Sequence, residues 1–163
     1  MRSYNYTILV DRSPEKVWAY MMDFSKAPRW RNLVREVEVL TPGPLRVGSE
    51  LRLTLDVLGK VRKAISEIWA FEPARRFGVR NTEQNVTGVF EYTLAPEGAG
   101  TRVTFTCDIQ PHGWMWLLLP LLIRGNRLRY QEQLPNLKHE VEKEAGPADT
   151  LGGWNTRGSV PRA

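Results

Sequence analysis

The sequence predicts an α+β domain in which one curved antiparallel sheet, about seven strands wide, closes on a long C-terminal helix. Three observations carry the prediction. Period-two alternation of apolar and polar residues runs through the middle of the chain, from Leu33 to Ile109. A strand and two short helical stretches precede it, and an amphipathic helical pattern follows, from about Gly113 to Glu144.

The elements follow in order. Ser3 to Val10 is rich in tyrosine, threonine and branched residues and reads as the first strand. Asp11 to Ser13 ends it. Ser13 then stands before Pro14 and Glu15, which is an N-cap, a proline in the first turn and an acid at the positive helix end. A helix is therefore expected over Pro14 to Met22, with Val17, Trp18, Met21 and Met22 at helical spacing, and a second short turn through Ala27, Pro28 and Trp30. From Leu33 the period becomes two: Val37 and Val39 alternate with Glu36 and Glu38, and Leu51, Leu53, Leu55 and Val57 with Glu50, Arg52, Thr54 and Asp56. Breaks at Pro42 to Pro44, Gly59, Pro73 and Pro96 to Gly100 divide this stretch into roughly six strands, the last two over Val86 to Leu94 and Thr101 to Ile109. At about 100° per residue, Trp116, Leu119, Ile123, Tyr130, Leu134, Leu137 and Val141 form one helical stripe, with Lys138, Glu142 and Lys143 away from it. Residues 145–163 carry turn-forming residues without periodicity and are expected to be a mobile tail beyond a domain of residues 1–144.

Composition bounds the function classes. At 163 residues, 42% hydrophobic and 25% charged, the chain has ordinary globular values. Its net charge of +5 is spread among acidic residues, so no nucleic-acid partner is expected. The apolar run Gly113 to Ile123 is shorter than the roughly 20 residues of a spanning helix. A soluble, cytoplasmic protein is the expectation: charges at Asp11, Arg12, Glu15 and Lys16 interrupt any signal-like stretch, and the single cysteine, Cys107, excludes an internal disulfide. Sequons at Asn5 and Asn85 carry no weight without secretion. No metal site and no cofactor are expected.

The order of elements is that of the helix-grip fold, and local strings point the same way. SPEKVWAYMMDFSKAPRW, with Pro14, Val17, Trp18, Asp23, Pro28 and Trp30 in place, resembles the opening of the polyketide cyclase/dehydrase and lipid-transport family of the START-like (SRPBCC) superfamily. Further matches are GPLRVGSE at Gly43 to Glu50, the string Phe71-Glu72-Pro73, the string Gly100 to Thr104, and the close Leu134 to Glu142. The resemblance covers about residues 3–144. It implies a space between sheet and helix that takes an apolar ligand, in a superfamily of lipid carriers, hormone receptors, aromatic polyketide cyclases and chaperone co-activators. Fold alone does not choose among these.

By alternation the inward wall is Leu51, Leu53, Leu55, Val57, Phe90, Tyr92, Val103, Phe105 and Cys107, facing Trp116, Leu119, Ile123 and Tyr130 of the helix. Those side chains either line a pocket or fill a core. Asn126 and Arg127 interrupt the helical stripe; Arg127 either meets a carboxylate or enolate oxygen, with the Tyr130 hydroxyl one turn on, or lays its stem on apolar surface and reaches water. Catalytic residues are unassigned. His112 at the sheet-to-helix turn is a candidate, His139 reads as a solvated residue, Cys107 as a small core residue, and Asp23 and Asp108 as hydrated acids. Trp18 and Trp30 either roof the pocket or anchor the short helices. Trp114, Trp116 and Leu117 to Leu122 make the helix start apolar nearly all round, and Pro120 and Pro135 favour kinks.

Three functions fit this reading. The first is binding or carriage of a lipid-, isoprenoid- or polyketide-like ligand. The second is a cyclase or dehydratase in which Arg127, Tyr130, Tyr92 or His112 polarises a carbonyl. The third is an interaction module that docks transiently on a membrane, or on a second subunit, through the helix start; monomer and homodimer both remain open.

Overall fold

A computed structural model describes residues 2–57, 59–83 and 85–144, and only the backbone at residues 2–3, 115–116 and 118–129. The elements are β1 (Arg2–Val10), α1 (Pro14–Met22), a 3₁₀ turn (Phe24–Lys26), α2 (Ala27–Trp30), β2 (Val34–Val39), β3 (Glu50–Val57), β4 (Lys60–Glu72), β5 (Arg76–Glu83), β6 (Val86–Glu97), β7 (Gly100–Pro111) and α3 (Met115–Lys143). Residues 145–163, where the sequence predicts a tail, lie outside the described residues.

The seven strands form one antiparallel sheet in the order β1-β7-β6-β5-β4-β3-β2. Consecutive strands from β2 to β7 are hairpin neighbours, but β1 pairs with β7, so β1 and β2 lie at opposite edges. The connection between them must cross one end of the sheet, and α1, the 3₁₀ turn and α2 make that crossing. Register shifts between Val34 and Glu36 and between Ile68 and Ala70 mark bulges, which bend strands and let a wide sheet curl.

The helices sit where the local chemistry starts and holds them. The Ser13 hydroxyl accepts from the Lys16 amide at 3.4 Å with Pro14 in the first turn, and α1 then buries Val17, Tyr20 and Met21. The C-terminal half of α3 buries Leu134, Leu137 and Val141. Its polar side is tied to the chain start: Lys138 Nζ donates to the Leu9 carbonyl at 2.8 Å, the Asp11 amide donates to Glu142 at 2.9 Å, and the Tyr20 hydroxyl donates to Glu140 at 3.1 Å. Asn32 bridges α3 as well, donating to Glu132 at 2.7 Å and accepting from Asn136 at 2.9 Å.

One expectation is corrected. The sequence places the end of β6 before Pro96, yet β6 runs to Glu97 and Pro96 pairs with Thr101. The Leu94 amide bonds on the β5 side, to the Arg75 carbonyl, so by alternation the Pro96 nitrogen also faces that side. There β5, which starts at Arg76, has already ended, and the missing N–H costs the ladder nothing. α3 continues as helix through Pro120 and Pro135.

Candidate functional site

The inward face of the sheet changes along its length. At the end crossed by α1 and α2, Val10, Leu51, Ile68, Phe77, Leu94 and Val103 are buried. Two residues further along each strand the face is still closed at Leu53, Ser66, Val79, Tyr92 and Phe105. Towards the β3–β4 and β5–β6 hairpin tips it opens in part: Leu55, Val57, Asn81, Phe90 and Ile109 are half-buried and Arg62 and Glu83 exposed, while the smaller Ala64, Gly88 and Cys107 between them stay buried. β1 repeats the gradient, with Val10 fully buried and Ile8, Tyr6 and Tyr4 partly accessible.

Aromatic rings stand where the buried part gives way to the open part. Tyr92 and Phe105 are 4.7 Å apart between ring centroids, Phe90 stacks on Phe105 at 6.4 Å, and Tyr130 from α3 lies 6.1 Å from Phe90 and 6.2 Å from Phe105. Tyr6 of β1 adds a stacked contact with Phe105 at 6.5 Å. Register explains the grouping, because Phe90 pairs with Cys107, and Tyr92 and Tyr6 both pair with Phe105, which puts all five on one face. Phe90 and Tyr130 remain half-buried among these rings, whereas Phe105 is 1% exposed.

Polar groups around the wall are few and desolvated. The Tyr92 hydroxyl donates to Gln133 Oε1 at 2.8 Å, and Gln133 is 3% exposed. Burial pushes the Tyr92 hydroxyl up to about 12 and raises that of Tyr130 as well, so both are neutral donors at physiological pH and neither is a base. Burial likewise pushes the Cys107 thiol up to about 12, which makes it a packing group and a poor nucleophile. Ser66 is buried on the same face, and Asn81 Oδ1 is buried without a hydrogen-bond partner.

The expected site residues are distributed as follows. Leu53, Leu55, Phe90, Tyr92, Phe105, Cys107 and Tyr130 share the inner face with α3. The side chains of Trp116, Ile123 and Arg127, and with them Leu119 and Asn126, lie outside the described residues. His112 is exposed, with Nε2 3.0 Å from Thr87 Oγ1, and His139 is exposed on α3. Asp23 ends α1; the Ser25 hydroxyl that bonds it holds its carboxyl below the usual range. Asp108 is half-buried on the outer face, with Oδ1 lacking a partner. Trp18 packs edge-on against Phe71 and Phe77, and Trp30 edge-on against Tyr92, so both anchor their helices to the sheet.

Sequence reasoning missed Gln133, Ser66, Asn81 and Arg31. A signal existed for the first two: Gln133 follows Tyr130 by three on the inward side of the helix, and Ser66 falls between Ala64 and Ile68 in an inward alternation. A separate notch of about 280 Å³ lies between α1 and the end of α3, lined by Arg12, Lys16, Tyr20, Lys26 and Glu144. Its cations serve the fold: Lys26 Nζ bonds Glu144 at 2.7 Å, and Arg12 bonds the Glu142 carbonyl at 2.8 Å. Among the described residues no helix is long and apolar enough to cross a membrane, and no three His, Cys, Asp or Glu side chains gather as a metal site.

The fold is shared with solved structures. TTHA0849 from Thermus thermophilus is 19% identical with a TM-score of 0.72, over 89% of this chain and 100% of that one. The Zhui aromatase/cyclase from Streptomyces sp. R1128 is 20% identical with a TM-score of 0.71, over 91% of this chain and 98% of that one. A START superfamily protein from Mycobacterium smegmatis is 15% identical with a TM-score of 0.68, over 86% of this chain and 97% of that one. Identities this low carry the helix-grip fold and no activity. No curated protein matches the chain. The family model described as polyketide cyclase / dehydrase and lipid transport matches residues 1–142, nearly all of the described elements, and the chain therefore belongs to that family.

Proposed function

We propose that this protein binds and carries, in the cytoplasm, a small hydrophobic molecule of lipid-, isoprenoid- or polyketide-like character between the open half of the sheet and α3. One observation supports the reading above the rest. Phe90 and Tyr130 point inward within an aromatic cluster and stay half-buried, while Tyr92 and Phe105 beside them are closed off. Partly accessible inward rings are what an apolar guest covers, at about 25 cal/mol for each Å² removed from water. Turnover of a polyketide-like chain is the alternative use of the same wall, with the neutral Tyr92 and Tyr130 hydroxyls as donors to a carbonyl.

Titration with the neutral fluorophore N-phenyl-1-naphthylamine tests the reading, alongside mass spectrometry of organic extracts of the purified protein. Saturable binding at one site, weakened at least about tenfold by Phe90→Arg, is the expected result. Equal binding by the native protein and a folded Phe90→Arg variant removes the proposed site.

A second reading is favoured by a different observation. Trp114 is 61% and Leu117 75% exposed at the start of α3, beside the open end. These side chains suit docking on a lipid surface during ligand transfer. Flotation with phosphatidylcholine vesicles is expected to carry the native protein and to lose the Trp114→Ser/Leu117→Ser variant; flotation of neither or of both ends this reading.

A further inference from the structure

The short helix α2 delivers two buried N–H donors that lack an acceptor. Trp30 is 2% exposed and its Nε1 has no hydrogen-bond partner; Arg31, the next residue, buries its Nε, also without a partner. The guanidinium carbon stands 5.7 Å from the centroid of the Trp30 ring, and that ring packs edge-on against Tyr92 at 5.6 Å. Arg31 therefore reaches the aromatic wall from the α2 side, next to the buried Tyr92–Gln133 pair. Burial dominates the rise of the Tyr92 and Tyr130 hydroxyls; Arg31 opposes it at both through its positive charge, and at Tyr92 also through a side-chain hydrogen bond, which leaves the Nε edge of the guanidinium as the one without an acceptor.

Desolvating such donors without an acceptor is costly, most of all on a charged group, and native proteins rarely leave them so. A purely apolar guest would leave them as they are. A guest with an oxygen acceptor at one end would complete them, and an anionic oxygen would do so most strongly, because charge-assisted bonds to guanidinium are roughly twice as strong as neutral ones.

We infer that the ligand is an apolar body bearing a carboxylate or enolate oxygen, and that the Arg31 guanidinium, flanked by the Trp30 indole N–H, receives that oxygen. The inference rests on the ligand-binding reading above and adds the chemical class and the polarity of insertion. The acidic end lies against α2, and the apolar body extends along Phe105, Phe90 and Tyr130 towards the open end.

The test uses the full chain and a matched pair of probes, 9-anthracenecarboxylate and its methyl ester, titrated at one pH and fixed salt into native protein, Arg31→Met and Arg31→Lys. The native protein is expected to prefer the acid by at least about tenfold. Arg31→Met is expected to lose that preference, its affinity for the acid falling at least about tenfold and that for the ester, whose carbonyl accepts only the weaker bond, falling less, and Arg31→Lys to keep part of it; retained ester binding certifies a folded site. Equal affinity of the native protein for acid and ester overturns the inference and leaves the carrier reading standing. So does an acid preference that survives in Arg31→Met. Binding of neither probe by the native protein overturns the carrier reading and this inference together.

Discussion

The two ends of the grip are built from the same alternation yet have become different materials. At the end crossed by α1 and α2, the inward face meets Val17, Met21, Leu134, Leu137 and Val141 from two helices and is closed to solvent. At the hairpin-tip end the same strands continue for two to four residues, and Leu55, Val57, Phe90 and Ile109 remain partly accessible. Burial of the large side chains on this face thus follows what the connection between β1 and β2 covers, while the small Ala64, Gly88 and Cys107 are closed off beyond it by their neighbours. In this protein one part of the inward face is closed core, and the other is the part that the proposed guest would cover.

Truncation should separate the two ends. Leu137→Ala, in the closed end, is expected to cost about 2–5 kcal/mol in urea denaturation, because Leu137 is 0% exposed and its cavity has no solvent to fill it. Leu55→Ala, in the open end, should cost about 1 kcal/mol, since the half-buried side chain loses only part of its transfer energy. Equal costs would break the comparison. Gly88→Ala sharpens it from the other side: a Cβ there would meet Asn81 Oδ1 at 2.5 Å and the Phe90 ring at 2.8 Å. Overpacking of this kind costs about 1–3 kcal/mol in a closed core, and in the open end Phe90 can swing outward, so a loss under about 1 kcal/mol with weakened N-phenyl-1-naphthylamine binding is expected. Tyr20→Phe removes one hydrogen bond between α1 and α3, and a loss of about 0.5–1.5 kcal/mol by thermal denaturation would match the closed end's reliance on those ties.

Alkaline pH offers a smaller and graded test. Cys107, whose ordinary value is 9.0, is raised by burial to about 12, so the native state holds its proton more tightly than the unfolded chain does. Its contribution to stability is whole below about pH 9 and is lost as pH rises towards 12; Tyr92 adds the same sign from its ordinary 10.0 upward. Denaturation midpoints should therefore fall above about pH 9, and a thiol reagent at pH 8 should label Cys107 only as fast as the protein opens. Prompt labelling of native protein would show that the thiol, opposite the half-buried Phe90, is not closed off.

Much of the fold was legible because it rests on local rules. Ser13-Pro14 marks the start of α1 at the residue where it begins, and the inward sets on β3, β6 and β7 follow from alternation alone. The limit of β6 was misread because a proline's effect depends on which neighbour its nitrogen faces, and that is set by where β5 stops. The site was legible only as a list of inward rings. Alternation says that Leu51 and Leu55 point the same way; it does not say that one is 2% exposed and the other half-buried.

Arg31 is the clearest case of what sequence leaves open. Beside Trp30 it reads as one more surface arginine of a basic chain, because nothing local records which way a side chain leaves a four-residue helix. By itself the sequence determined the strand and helix order, the inward face and the family, since periodicity, caps and turn residues act over a few neighbours. Tertiary structure alone decided which half of that face is closed, which phenols stay neutral, and which donors lack an acceptor. Those properties depend on segments far apart in the chain, β1 beside β7 and α2 beside α3, excluding water from the same small volume.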